Sequence, residues 1–202
     1  VTSRPAFTAE QAVARALSLV GKGGRYELGT GDYRPQPNHD GTIDDLPWTS
    51  NGGPLGSDCV GFAINWCYGI RRHRPGFNHR SAGDFDVEDD INCNSAIGDA
   101  DTDRDLFERV YTPAPGVLLT YPTIHLPGHP PFCGHVGIVT SVARCAEWDA
   151  TAPNYELLDV AQCCGPNGRA PAVIATDGAV WASHDRLWPK PQHRTVMLRV
   201  LP

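Results

Sequence analysis

The apolar positions change period once along this chain. Ala12, Ala16 and Leu19, with Val13, Leu17 and Val20 beside them, recur at helical spacing. Thr8 precedes Ala9-Glu10-Gln11, which puts a Gln at the third helical position, so a capping box opens this helix and Gly21-Lys22-Gly23-Gly24 closes it. A second stripe of Val60, Ala63, Ile64 and Cys67 predicts a helix over 59–68, with Ser57 or Asp58 as its cap and Gly69 as its stop. After Pro113 the pattern turns to short runs of β-branched and apolar residues. Strands are expected over 117–121, 135–142, 155–161, 172–176, 179–182 and 195–201. Asp177-Gly178, between two of these runs, predicts a hairpin.

Two stretches carry no sustained period. Residues 25–56 are crowded with Gly, Pro, Asn and Asp, and residues 71–105 with Asp, Arg and Asn, the latter closing in a short predicted helix over 103–110. Irregular segments of this length inside a compact domain usually line or cover a site. Helices first and an antiparallel sheet afterwards make an α+β domain. The expectation is one domain over 1–202, with insertion-like loops at about 27–55 and 71–110.

Composition narrows the function classes. At 202 residues the chain can bury a core without staples. A formal charge of −6 and scattered Lys and Arg leave no basic stripe for nucleic acid. No apolar run approaches the roughly 20 residues that span a bilayer, and residues 1–6 lack the apolar core of a signal peptide. The expected mature chain is soluble, any export signal having been removed or never having existed. Seven cysteines cannot all pair within one chain, so at least one thiol is free or bonded to a partner. The other six could be buried small residues or up to three disulfides.

The chemistry concentrates in Gly56-Ser57-Asp58-Cys59-Val60-Gly61-Phe62-Ala63 and Gly134-His135-Val136-Gly137-Ile138-Val139. A cysteine in the first turn of a helix meets unpaired amides and the positive end of the dipole, which favour the thiolate and can also receive an oxyanion. His135, Gly137 and Val139 share one strand face, so His135 can point at the helix as general base while Gly137 leaves room. A third group orients such an imidazole. Asp159 interrupts an apolar run on the next predicted strand and is the preferred orienter; Gln162 is the fallback, at an offset that needs a different register.

These segments resemble the NlpC/P60 cysteine peptidases, and more distantly the CHAP amidases. The resemblance covers the first helix, Asp58-Cys59-x-Gly61-Phe62, the Pro115-Gly116 turn, Gly134-His135-Val136-Gly137-Ile138 and the closing strands. The family's nucleophile motif usually reads Asp-Cys-Ser-Gly, and Val60 stands in place of its Ser. Its Pro-Gly-Asp is Pro115-Gly116-Val117 here, and its third polar residue is most often His. The resemblance implies a papain-like fold, N-terminal helices on a central antiparallel sheet. It further implies cleavage of peptidoglycan amides, in the stem peptide or between muramic acid and L-alanine, with Cys59 and His135 catalytic and Asp159 orienting. Tyr26, Asp58 and Trp48 are the expected substrate contacts. No cofactor or metal is expected, and the site of action would be the bacterial wall or periplasm, reached by secretion or phage delivery. Two rivals keep part of this reading: a toxin using the same dyad on protein amides, and a non-catalytic wall-binding module.

Two further patterns imitate metal sites. His125-x3-His129-x3-Cys133-x-His135 has zinc-ligand types, but Pro127, Gly128, Pro130 and Pro131 exclude the helix that would align the histidines. Asp99-x-Asp101-x-Asp103-x-Asp105 has Arg104 where a calcium loop needs Gly and Val110 where it needs Glu, so a solvated acidic loop is expected. Trp66, within a predicted helix, and Trp181, within a predicted strand, are expected in the core.

Overall fold

The computed structural model describes residues 4–21, 25–26, 36–37, 43–44, 56–71, 77, 91–102, 104–129, 132–165 and 173–202. Trp48 lies outside the described residues. The fold is α+β, built on a six-stranded antiparallel sheet.

Helix α1 spans Ala9–Leu19 and opens with the expected capping box between Thr8 and Gln11. Its buried face is Ala12, Ala16 and Leu19, whereas Leu17 is half exposed. Small residues on that face let α1 approach its neighbours closely. Two-residue strands follow: β1 (Arg25–Tyr26), β2 (Gln36–Pro37), β3 (Ile43–Asp44) and β4 (Gly56–Ser57), with β1 parallel to β4 and β2 antiparallel to β3. The Cys59 helix covers residues 59–68, with a π-helical stretch at Gly61–Trp66. Asp58 caps it, its Oδ1 accepting the Gly61 N–H at 2.7 Å. Gly69 ends it at φ 66°, where a Cβ would stand 2.6 Å from that of Ala6. Arg15 of α1 lies between the Phe7 and Trp66 rings and donates to the Trp66 carbonyl at 3.1 Å, joining the two helices.

Helix α2 spans Cys93–Asp101, inside the stretch read as an insertion. The expected helix over 103–110 is instead the strand β5 (Phe107–Val110). One buried carboxylate decides this. Asp99 is fully buried and accepts backbone N–H groups of Asp105, Leu106 and Phe107 at 3.0, 2.9 and 2.8 Å. It turns the chain from helix to strand, so it is no part of a solvated loop.

The sheet runs β5-β10-β6-β7-β8-β9, where β6 is Leu118–Tyr121, β7 His135–Ser141, β8 Asp159–Cys163, β9 Val173–Asp177 and β10 Val196–Val200. Residues 155–157, expected in a strand, form a 3-10 turn before β8. The expected hairpin at Asp177-Gly178 is replaced by helix α3, Ala179–Leu187. Asp177 Oδ1 accepts the Ala179 N–H at 3.0 Å and starts that helix. Alternation along the strands makes two cores. Leu118, Val136, Ile138, Ala161 and Leu198 pack with α1, the Cys59 helix and α2. Leu119, Val139, Val160 and Met197 pack with Trp181 of α3 on the other face. No helix among the described residues is long and apolar enough to cross a membrane.

Candidate active site

Cys59 and His135 meet where the Cys59 helix begins and β7 starts. The Cys59 sulfur is hydrogen-bonded by the Cys93 thiol, the His135 ring and the Val136 backbone N–H. The bond from Cys93, the first residue of α2, lowers the Cys59 pKa most. Burial opposes it, and the bond and charge of His135 add to the lowering; the balance holds Cys59 well below the ordinary thiol range. Burial alone would depress the His135 pKa, but the bond and charge of Cys59, the bond to Gln162 and the charge of Asp58 outweigh it and raise the pKa. Each group thus favours the charged form of the other.

The third group is Gln162. Its Oε1 accepts the His135 Nε2–H at 2.7 Å, with both side chains buried. That bond fixes the tautomer and leaves Nδ1 for the thiol. The register explains the choice: Gly137 faces Gln162, which makes Gln162 the diagonal same-face neighbour of His135. Asp159 faces Ser141, six residues along β7 from His135, or about 20 Å at the rise of a strand. Its carboxylate pairs with Arg144 at 2.7 Å and is half exposed. Asp159 is thus corrected from orienter to surface ion pair.

Gly137 also differs from expectation. A Cβ there would lie 2.7 Å from Trp181, so the glycine makes room for α3, not for the helix. His135 stands at the strand's first position, where its ring lies against Trp181 at 5.4 Å and Tyr121 at 5.9 Å while reaching Cys59. Tyr121 in turn stacks on His184 at 3.8 Å. Trp181, expected only as core, is also the floor beneath the imidazole.

Gly134 locks α2 to this site. Asn94 Oδ1 accepts the Thr123 N–H at 2.7 Å, and Thr123 Oγ1 accepts the Gly134 N–H at 2.8 Å. A Cβ on Gly134 would stand 2.9 Å from Cys93 Cβ, the Thr123 nitrogen and the Tyr121 carbonyl oxygen. Cys93 was not legible as a site residue because its helix starts with an Asn92–Ser95 capping box, which lacks the usual Glu or Gln.

Tyr26 pairs with Ser57 in the β1–β4 ladder, and its pKa is raised by burial first and then by the neighbouring Cys59 and Asp58 charges. It lies near enough to Cys59 and Asp58 for their charges to act on it. Asp58 is buried and serves the helix as its cap. All seven cysteines are free thiols. Among the described residues no three His, Cys, Asp or Glu side chains gather in a metal-binding arrangement. A cleft of about 530 Å³, lined by Tyr121, Phe132, Cys133, Leu187 and Trp188 among others, opens beside the Tyr121 wall. The arrangement can attack a carbonyl with sulfur, move one proton through His135 and seat an apolar group nearby. No family model, curated protein or solved structure matches the chain.

Proposed function

We propose that this protein is a cysteine hydrolase of the NlpC/P60 kind, papain-like in fold, that cleaves amide bonds in the stem peptides of bacterial peptidoglycan. The observation that carries the reading is the Cys59–His135–Gln162 relay at a helix N-terminus. Cys59 attacks the carbonyl carbon as thiolate, and its own backbone N–H stabilises the oxyanion. His135 gives its proton to the leaving amine and then takes one from the water that hydrolyses the thioester. Gln162 holds the ring through both steps.

The substrate class rests on the resemblance of the Asp58-Cys59-x-Gly61 and Gly134-His135-Val136-Gly137 segments to that family. Purified peptidoglycan incubated with the protein should release stem-peptide or amino-terminal fragments visible by mass spectrometry, and Cys59→Ala should release none. Equal fragment yields from both, or none from walls of several types, would overturn the substrate assignment.

A further inference from the structure

We propose that Cys59 and Cys93 are a redox pair, closed into a disulfide by hydroperoxide and reopened by thiols, which locks the site without altering the fold. The two thiols open two different helices, are each only 4% exposed, and their side chains hydrogen-bond to one another. Cys93 is held there from several sides. The Asn92–Ser95 capping box fixes its turn, the Asn94–Thr123–Gly134 bonds tie that turn to the residue before His135, and Gly134 takes the close approach of its Cβ.

No other cysteine combines these features. The Cys163 thiol donates to the Ser57 carbonyl at 3.3 Å, Cys145 to that of Leu157 at 3.4 Å, Cys67 lies at the far end of the Cys59 helix, and Cys133 is exposed. Among the cysteines, Cys93 alone is hydrogen-bonded to the Cys59 sulfur. A thiolate attacks peroxide faster than a thiol does, and the depressed Cys59 pKa supplies that thiolate.

The balance is closed. The Cys59 thiolate attacks one peroxide oxygen, the O–O bond breaks, and the departing hydroxide takes a proton to become water, leaving a sulfenic acid. The Cys93 sulfur then attacks that of Cys59. The S–O bond breaks, the S–S bond forms, and the second hydroxide leaves as water with the Cys93 proton. Two thiols are oxidised and one peroxide is reduced to two waters.

The test needs no substrate, so it can fail while the hydrolase reading stands, and the reverse. Reduced protein is treated with hydrogen peroxide, blocked with N-ethylmaleimide after unfolding, and mapped as peptides without reduction. The expected result is a crosslinked peptide joining Cys59 and Cys93, with Cys59 alkylation by iodoacetamide abolished and then restored by dithiothreitol. In Cys93→Ser, and in Cys93→Ala should the serine variant misfold, Cys59 should run on to sulfinic or sulfonic acid, with recovery on the order of tenfold lower. A crosslink from Cys59 to Cys133, Cys163 or Cys164 would overturn the proposal. So would Cys59 overoxidation in the unmutated chain with Cys93 still open to N-ethylmaleimide, or a Cys59 that peroxide leaves untouched.

Discussion

At the scale of single residues, the site is decided by which side chains share a face and a register. Replacing Gln162 by Ala removes a buried bond to a charged imidazole, a loss of about 1.5–3 kcal/mol. On the proposed hydrolase function, kcat/KM of Gln162→Ala should therefore fall on the order of tenfold to a hundredfold. Asp159→Ala removes only a half-exposed ion pair to Arg144, and should leave kcat/KM unchanged and stability within about 1 kcal/mol. Equal losses from the two variants would contradict the register argument. Cys59 and His135 were legible in the sequence because each opens a predicted element with a glycine at a telling offset. Gln162 was legible only as an alternative to Asp159. The reason is physical: choosing between them needs the β7–β8 pairing and its shift between Val139 and Ser141, which no local pattern encodes.

At the scale of elements, the helices that complete the site are the ones the pattern hid. Asp177-Gly178 is a strong hairpin signal, yet a Cβ on Gly178 would stand 2.1 Å from the Tyr155 carbonyl oxygen, and the chain turns there into α3. What overrides local propensity is Trp181, fully buried against the Cβ-free surface of Gly137. Trp181→Ala should cost about 3–5 kcal/mol in urea unfolding, and should also lower activity by loosening the His135 ring. An unfolding midpoint close to that of the unmutated chain would deny α3 this role. Helix α2 was masked by the acidic run that begins in its last turn, because nothing in the sequence distinguishes a solvated Asp99 from one buried on three backbone amides. Asp99→Ala should destabilise by about 3 kcal/mol or more, since it strands buried N–H groups of Leu106 and Phe107. A change under about 0.5 kcal/mol, the range of an ordinary surface substitution, would contradict that account.

At the scale of the whole molecule, the sheet separates two jobs. Its helix-bearing face supplies Cys59 and Cys93, and the α3 side supplies the floor under His135 and the apolar cleft beside Tyr121. If that cleft seats part of the substrate, the exposed Leu187 on its wall is the residue to change: Leu187→Ser should raise KM several-fold and leave Cys59 alkylation and stability as they were. An unchanged KM would remove the cleft from the substrate path. The α+β class was legible from periodicity, because long-range pairing did not enter into it, whereas α3, between β9 and β10, departs from the expected order of helices before sheet. The coupling of Cys59 to His135 is different, being a property of the assembled fold. Cys59, Cys93, His135 and Gln162 come from four elements, and unfolding parts them all. The most direct measurement is therefore the rate at which iodoacetamide modifies Cys59 across pH, mapped by mass in the folded protein, in His135→Ala and in the unfolded chain. The depressed Cys59 pKa and the raised His135 pKa predict a thiolate that persists into mildly acidic solution. At pH 6 folded Cys59 should react on the order of tenfold or more faster than the unfolded thiol, with His135→Ala losing most of that advantage. A folded Cys59 that reacts only in the ordinary thiol range, with or without His135, would contradict the account.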